Sequence, residues 1–221
     1  MLNTVSAKRT ELDEHPETQI AQSSTWLLNP VVHGIYMVAL SVIGLIASYD
    51  LSIEKIKKLE NPEYILSCDM NPFFSCSGVM QYPQSQLFGF PNQLLGIAAF
   101  IFPLLLGVLL ISRVHIPGWV MVGLNIGLLG GVALVVFLYI SSIWVIGIGC
   151  PWCIVVWSIT IPLFCTTTGY NALAGNFGAG VRDNVTVRVF ASSSLLISVV
   201  LVFVIYVSIV VRFWGYFSTL F

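Results

Sequence analysis

The sequence contains very little charge. Only 9% of its 221 residues are Asp, Glu, Lys or Arg, whereas an ordinary globular domain has roughly 25%. Nine basic and ten acidic side chains give a net charge of -1 at pH 7, so the chain lacks the positive surface with which proteins bind nucleic acids. A soluble domain with so few charges could not cover its own apolar surface. The mean hydropathy of +0.92 therefore predicts a protein embedded in a lipid bilayer.

Long apolar segments take up most of the chain. Crossing the hydrocarbon layer takes about 20 helical residues. Residues 114–181 contain no Asp, Glu, Lys or Arg, and this length holds two spans separated by a turn at Gly147, Gly149 and Pro151. Because nothing resembling an attached soluble domain is left over, we predict an all-α membrane protein. The predicted transmembrane helices are 31–49, 87–112, 119–144, 151–170 and 189–211.

Polar segments separate these spans and define the organisation of the chain. Residues 1–25 are predicted to be a polar tail, and residues 26–171 to form the main bundle of four spans. This bundle includes a loop at 50–86 whose charges and prolines indicate an aqueous location. Residues 172–188 are expected to be a plain connector, and 189–221 to be the fifth span and the C-terminus.

Small residues form a stripe on the third span. Gly123, Gly127 and Gly131 recur every four residues, which places them on one face of a helix. Glycine stripes let neighbouring membrane helices approach closely. We therefore expect this face to be a packing seam.

Four of the five cysteines form two pairs. Cys68 and Cys76 lie in the loop, whereas Cys150 and Cys153 form a Cys-Pro-Trp-Cys motif where the fourth span begins. Two spans separate the pairs, and an even number of crossings returns the chain to the same side of the membrane. The two pairs can therefore exchange disulfides, provided that the loop lies above the fourth span.

The position of Cys150 favours reactivity. We expect Cys150 to cap the fourth helix, because Pro151 follows in the first helical position, where its missing N–H costs nothing. Free backbone N–H groups and the positive end of the helix dipole then favour the thiolate form. Cys150 is predicted to face water. Cys153, one turn further along, is predicted to face the apolar bundle, where a membrane-dissolved electron carrier could bind.

Other interpretations of the cysteines remain open. A four-cysteine zinc site is one, although the seven residues between Cys68 and Cys76 are a wide spacing for it, and we expect no metal. The pairs could also be structural disulfides that clip a loop in a membrane protein without enzymatic activity. Cys165, deep in the fourth span, is expected to be a small buried apolar residue.

Taken together, the motifs resemble the vitamin K epoxide reductase family, and most of all its single-domain bacterial members. The resemblance covers about 31–170. It implies a four-helix transmembrane bundle around a quinone of the menaquinone or ubiquinone type, with an added fifth transmembrane helix. The residues that carry it are Cys68, Cys76-Ser77, Gly89-Phe90-Pro91-Asn92 leading to Gly96, and Cys150-Pro151-Trp152-Cys153.

The resemblance also implies roles for individual residues. Positions matching Cys68 and Cys76 carry electrons from a partner protein, those matching Cys150 and Cys153 form the active pair, and the one matching Asn92 hydrogen-bonds a quinone carbonyl. Trp157, which is also expected to bind the quinone, stands where vertebrate members carry Tyr, and its indole can donate a hydrogen bond but cannot accept one. Tyr82 replaces a loop Ser. Both differences argue against epoxide reduction more than against disulfide formation.

The implied function is that of a membrane thiol:quinone oxidoreductase. Such an enzyme reoxidises a thioredoxin-like, DsbA-like protein and thereby supports disulfide formation. Many bacterial relatives carry a thioredoxin-like domain after the fifth span, whereas this sequence ends at Phe221, so we expect the partner to be a separate polypeptide. The alternative activity is reduction of quinone or vitamin K epoxide for quinone recycling.

Redox chemistry also predicts the orientation in the membrane. Disulfides form in oxidising compartments, so both cysteine pairs are expected on the extracytoplasmic face of an inner or plasma membrane. The N-terminus, the tail 1–25 and the connector 172–188 are then cytoplasmic.

Overall fold

A computed structural model of the chain describes residues 27–218, and the predicted tail 1–25 lies outside them. The described residues form helices and no β-strand. Five of the helices are long and apolar enough to span a membrane, which confirms the predicted all-α membrane fold. The helices are α1 (Pro30–Glu60), α2 (Cys76–Met80), α3 (Asn92–Ile111), α4 (Gly118–Tyr139), α5 (Pro151–Ala174), α6 (Ala179–Arg182), α7 (Val185–Ser192), α8 (Ser194–Arg212) and α9 (Trp214–Phe217).

Local sequence signals fix where the long helices begin and end. The side chain of Asn29 accepts a hydrogen bond from the N–H of Val31 at the start of α1, with Pro30 in the first helical position. Helix α4 continues as a wider π-helical turn, Ile140–Ile146, which ends at Gly147 with φ 76°. Gly175 ends α5 in the left-handed conformation, with φ 81°, where glycine is the least strained residue.

The first helix extends beyond the membrane span predicted for it. It runs to Glu60, so the first eleven residues of the segment 50–86 are helical rather than looped. Lysines on this extension bind the rest of the segment: Lys55 Nζ donates to the Met80 carbonyl at 3.2 Å, and Lys58 Nζ donates to the Tyr64 carbonyl at 2.8 Å. Residues 50–60 of α1 therefore form one side of the folded segment 50–86, which lies over the end of the bundle. The segment 172–188 is likewise partly helical, because it contains α6 and the start of α7.

Close packing joins α1 to α3. A Cβ placed on Gly34 would lie 2.6 Å from the Gly107 carbonyl oxygen, and one on Gly44 would lie 2.6 Å from the Phe100 ring. These two glycines are thus needed for the close approach of the helices. Helix α5 packs against α1, α4 and α8. The main apolar core comprises Met37, Phe100, Leu110, Met121, Leu124, Leu128, Ile159 and Leu163.

The glycine stripe of α4 is not a packing seam, and the prediction that it would be one is wrong. A Cβ on Gly123 or Gly127 would meet no atom within 4 Å, and one on Gly131 would meet only Thr160, at 3.6 Å. Helix α3 packs far more extensively on α1 than on α4. Open space is therefore left beside the stripe, and the glycines line a cavity.

Candidate redox site

The two cysteine pairs meet at one end of the bundle. Cys68 and Cys76 are joined in a disulfide, whereas Cys150 and Cys153 are free thiols. The Sγ atom of Cys150 lies 3.6 Å from the Sγ atom of Cys76. A thiol at this distance from a disulfide sulfur is placed for exchange, since exchange proceeds by direct attack of one sulfur on the other.

Cys150 caps α5, as its position before Pro151 predicts. Its Sγ accepts a hydrogen bond from the Cys153 N–H at 3.3 Å. Free N–H groups at a helix N-terminus stabilise negative charge. Cys153 lies one turn further along and lines the cavity inside the bundle. Cys150 therefore contacts the loop disulfide, and both cysteines of the pair line the cavity.

Cys150 does not face water, so that expectation is wrong. Only 1% of its surface is exposed, and Cys76 is fully buried. Both sulfurs lie in an apolar cluster in which Leu51 of α1, Leu66 of the loop and Met80 of α2 cover them. The loop is folded down onto the start of α5, and this tertiary packing outweighs the exposure that a helix terminus would otherwise have.

Backbone hydrogen bonds fix the loop to the segment before Cys150. The N–H of Ser75 donates to the Gly149 carbonyl at 2.9 Å, and the N–H of Gly149 donates to the Phe73 carbonyl at 2.8 Å. A Cβ on Gly149 would lie 2.9 Å from the Phe74 ring, so a side chain there would push the two segments apart. This short pairing positions Cys76 beside Cys150.

Asp69 stabilises the helical turn that begins at Cys76. Its Oδ1 accepts hydrogen bonds from the Ser75 hydroxyl at 2.7 Å and from the Ser77 N–H at 3.0 Å. Partial burial of Asp69 would raise its pKa, but hydrogen bonds from Ser77 and Ser75 outweigh this effect and lower the pKa below its usual value. Asp69 is therefore a carboxylate at neutral pH and anchors the loop next to the disulfide.

A cavity of about 800 Å³ lies between α1, α3, α4 and α5. This volume is within the range of about 300 to 1,000 Å³ that small-molecule sites occupy. Its walls are predominantly apolar, and the glycine stripe of α4 lines one of them. The residues of the site that reach its surface are Cys76, Cys150, Cys153, Asn92 and Trp157. The cavity thus suits an apolar ligand next to a dithiol.

Asn92 lines the cavity and also holds the loop. Its Nδ2 donates to the Gln84 carbonyl at 2.7 Å, and its Oδ1 accepts from the Leu87 N–H at 3.1 Å. An amide nitrogen carries two hydrogens, so one donor is left for a ligand. The family resemblance implied only a ligand role for Asn92, because its bonds to the loop arise from folding of the 3₁₀ turn Pro83–Gln86 against α3.

Trp157 is buried in the wall of the cavity, with 2% of its surface exposed. Tyr139, at the end of α4, packs edge-on against it with ring centroids 5.7 Å apart and planes at 89°. Tyr82, by contrast, is 41% exposed, and it is absent from the residues that line the cavity.

Sequence reasoning missed two polar residues of this region. Gln84 lines the cavity, and its Oε1 is buried with no hydrogen-bond partner among the described residues. Tyr139 supports Trp157. A tyrosine in an otherwise apolar span is a signal that could have pointed to Tyr139, whereas Gln84 lies among other polar loop residues and carried no such signal.

The disulfide removes two of the four thiolate ligands that a four-cysteine zinc site would need. Cys68 and Cys76 are bonded to each other, and a disulfide sulfur is not a thiolate ligand. Within residues 27–218, no group of three or more His, Cys, Asp or Glu side chains could hold a metal ion.

The fold and the site together define a class of protein. A membrane bundle holds a dithiol between a loop disulfide and an apolar cavity, which is the arrangement of a membrane thiol–disulfide oxidoreductase. Comparison with known families agrees: the sequence model of the Vitamin K epoxide reductase family matches residues 35–168. The chain belongs to this family and is a membrane quinone-linked disulfide oxidoreductase. No curated protein matches the chain.

Proposed function

We propose that the protein oxidises a dithiol protein outside the cytoplasm and transfers the electrons to quinone in the cavity of the bundle. One observation carries this proposal: Cys150 lies 3.6 Å from the loop disulfide sulfur of Cys76 while its neighbour Cys153 lines the cavity. The four cysteines therefore form a continuous path from the loop to the cavity.

Two thiol–disulfide exchanges, followed by reduction of quinone, account for all the electrons and protons. A partner dithiol reduces the Cys68–Cys76 disulfide and leaves as a disulfide itself. The Cys76 thiolate then attacks Cys150 of a Cys150–Cys153 disulfide and releases the Cys153 thiolate; Cys68 attacks Cys76 and releases Cys150. The active pair now holds two electrons. Quinone in the cavity accepts these two electrons with two protons, which restores the Cys150–Cys153 disulfide.

The observed redox state fits one stage of this cycle. The loop pair is a disulfide and the active pair is a dithiol, which is the state reached after the loop has passed its electrons on. The 3.6 Å separation between Cys76 and Cys150 serves the exchange in either direction, because forward and reverse attack pass through the same mixed disulfide.

A thioredoxin-like, DsbA-like protein is the proposed partner, and it is proposed to be a separate polypeptide. Exposed apolar side chains support a protein partner, since Ile65 and Met70 flank Cys68 and are 77% and 73% exposed. Cys68 itself is only 6% exposed. A partner must therefore displace part of the loop before its thiol reaches the disulfide.

The membrane and the orientation follow from the same chemistry. Both cysteine pairs lie at one end of the bundle, and a disulfide in the resting loop needs an oxidising compartment. We place this end on the extracytoplasmic face of an inner or plasma membrane, with the N-terminus in the cytoplasm. The quinone is then of the menaquinone or ubiquinone type that such membranes contain.

An assay with purified protein tests the proposed function. The protein in lipid nanodiscs is mixed without oxygen with a reduced thioredoxin-like protein and either menadione or ubiquinone-1, and quinone absorbance is followed. We expect reduction of quinone that requires both the dithiol protein and the enzyme. Absence of enzyme-dependent reduction with both quinones would refute the proposal, and turnover of vitamin K epoxide instead would favour the recycling activity.

Asn92→Ala should weaken quinone use. Loss of one hydrogen bond in a dry site costs roughly 1 to 3 kcal/mol, so the KM for quinone should rise about five- to a hundred-fold. The measurement is the quinone dependence of the rate, with alkylation of Cys150 and Cys153 to show that they remain reducible. Gln86→Ala is the control, because Gln86 is an exposed position of the 3₁₀ turn Pro83–Gln86 to which Asn92 is bonded. An unchanged KM would leave Asn92 with only its bonds to Gln84 and Leu87.

Gly127→Leu should block the cavity without unfolding the bundle. A Cβ at Gly127 meets no atom within 4 Å, so the larger side chain extends into space that a ligand would use. We expect quinone reduction to fall about tenfold or more, with thermal stability close to wild type. Gly34→Leu is the contrasting variant, because the Gly107 carbonyl leaves no room for its Cβ, and it should lower stability instead. Normal quinone kinetics in Gly127→Leu would place the ligand elsewhere.

A further inference from the structure

The fifth transmembrane helix, α8, lies beyond the segment that matches the family, which ends at residue 168. Most of its large side chains are exposed on the bundle surface, as expected for contact with lipid; Leu196 and Phe203 are 66% and 65% exposed. At the end nearest the cysteines the pattern changes. Ile209, in the last turn of α8, and Phe213, the residue that caps its end, are each only 4% exposed. Both belong to one buried cluster with Trp157, so one face of this end of the helix is packed into the redox region.

Phe213 contacts the loop segment that carries Cys76. Its ring centroid lies 5.3 Å from that of Phe74 and 6.0 Å from that of Phe73. Residues 73–75 are the ones that pair with Gly149, immediately before Cys150. Phe213 therefore packs against the pairing that holds Cys76 beside Cys150.

A second contact leads from α8 to the cavity. The hydroxyls of Ser208 and Tyr139 are hydrogen-bonded at 2.5 Å, and Trp144 Nε1 donates to the Tyr139 hydroxyl at 3.1 Å. Tyr139 packs edge-on against Trp157, which lines the cavity. Ser208 of the fifth helix, together with Trp144, therefore holds the Tyr139 hydroxyl, and the Tyr139 ring supports the wall formed by Trp157.

We propose that the fifth helix is a positioning element of the redox relay, through two residues with separate effects. Phe213 keeps the segment 73–75 in place and so holds Cys76 within reach of Cys150. Ser208 holds Tyr139 and through it the Trp157 wall of the quinone site. This inference rests on the proposed function, and neither residue touches the reacting atoms.

The proposed effect of Phe213 on thiol exchange is tested in the Cys68→Ser background, with the Cys150–Cys153 pair oxidised to its disulfide at the start of the reaction. The Cys76 thiolate then attacks Cys150 and releases the Cys153 thiolate, so the Cys76–Cys150 disulfide forms without any quinone. Phe213→Ala should lower the rate of this cross-link about ten- to a hundred-fold, since small displacements of reacting groups have effects of that size. Phe213→Tyr keeps the aromatic ring and should restore the rate. Phe203→Ala, on the lipid-facing side of the same helix, is the matched control and should leave the rate unchanged.

The proposed effect of Ser208 on the quinone cavity is tested by Ser208→Ala in the protein with all of its cysteines intact. Loss of one hydrogen bond should raise the KM for menadione about two- to tenfold, with the cross-link rate in the Cys68→Ser background unchanged. If Phe213→Ala and Ser208→Ala each lowered both the cross-link rate and the quinone affinity to the same extent, the variants would be generally destabilised, and this result would overturn the proposal. So would an unchanged cross-link rate in Phe213→Ala. Because cross-linking needs no quinone, it can succeed or fail independently of the assay of the proposed function.

Discussion

Replacing Cys150 or Cys153 with Ser should abolish dithiol-driven quinone reduction, whereas Cys165→Ser should keep the rate within about threefold of wild type. Cys150 contacts the loop disulfide and Cys153 lines the cavity, so loss of either sulfur interrupts the electron path. Cys165 lies twelve residues beyond Cys153 on the same helix, a distance of about 18 Å along its axis, and no reactive group of the relay is near it.

The measurement for these three variants is the anaerobic rate of quinone reduction at equal amounts of folded protein. Cys165→Ser is the matched control, because it makes the same chemical change in the same helix. A Cys165 variant as inactive as Cys153→Ser would contradict the assignment of the active pair. Residual activity of more than a few per cent in Cys150→Ser would show that the loop pair can pass electrons directly to Cys153.

Replacing Cys68 alone should trap a disulfide between Cys76 and Cys150. Exchange between the pairs passes through this mixed disulfide, and Cys68 is the thiol that resolves it. The 3.6 Å between the two sulfurs means that no large movement is needed to form the bond. We expect the Cys76–Cys150 cross-link to accumulate during turnover with a reduced partner, and mass spectrometry of alkylated, digested protein detects it.

Two further variants control the trapping experiment. Cys68→Ser combined with Cys150→Ser removes the receiving sulfur and should give no cross-link. Cys76→Ser should block transfer from the partner protein, while small dithiols such as dithiothreitol can still reduce the Cys150–Cys153 pair, because Cys153 lines the cavity. If Cys68→Ser shows only free Cys76 and an intact Cys150–Cys153 disulfide, the loop disulfide is a structural clip rather than a shuttle.

The sequence by itself determined the membrane fold and the family. Apolar length and the scarcity of charge are local properties, and the five predicted spans correspond to five helices long and apolar enough to cross a membrane. The cap of α5 was also predictable, since Cys150 followed by Pro151 specifies a helix start whatever surrounds it. The spacing of the cysteines and of the Gly-Phe-Pro-Asn motif sufficed to place the chain in the family that matches residues 35–168.

Only the tertiary structure decided which groups meet. Burial of Cys150 depends on a loop that folds back over 74 positions of sequence to Cys76, and the glycine stripe of α4 lines a cavity because α3 packs on α1 instead. The contact of Phe213 with Phe73 and Phe74 is long-range as well. The bonds of Asn92 to Gln84 and Leu87 join residues close in sequence, but they form only when the 3₁₀ turn Pro83–Gln86 folds against α3. Hydropathy and motif spacing report on the environment along one helix, whereas contacts between helices depend on how all of them pack together.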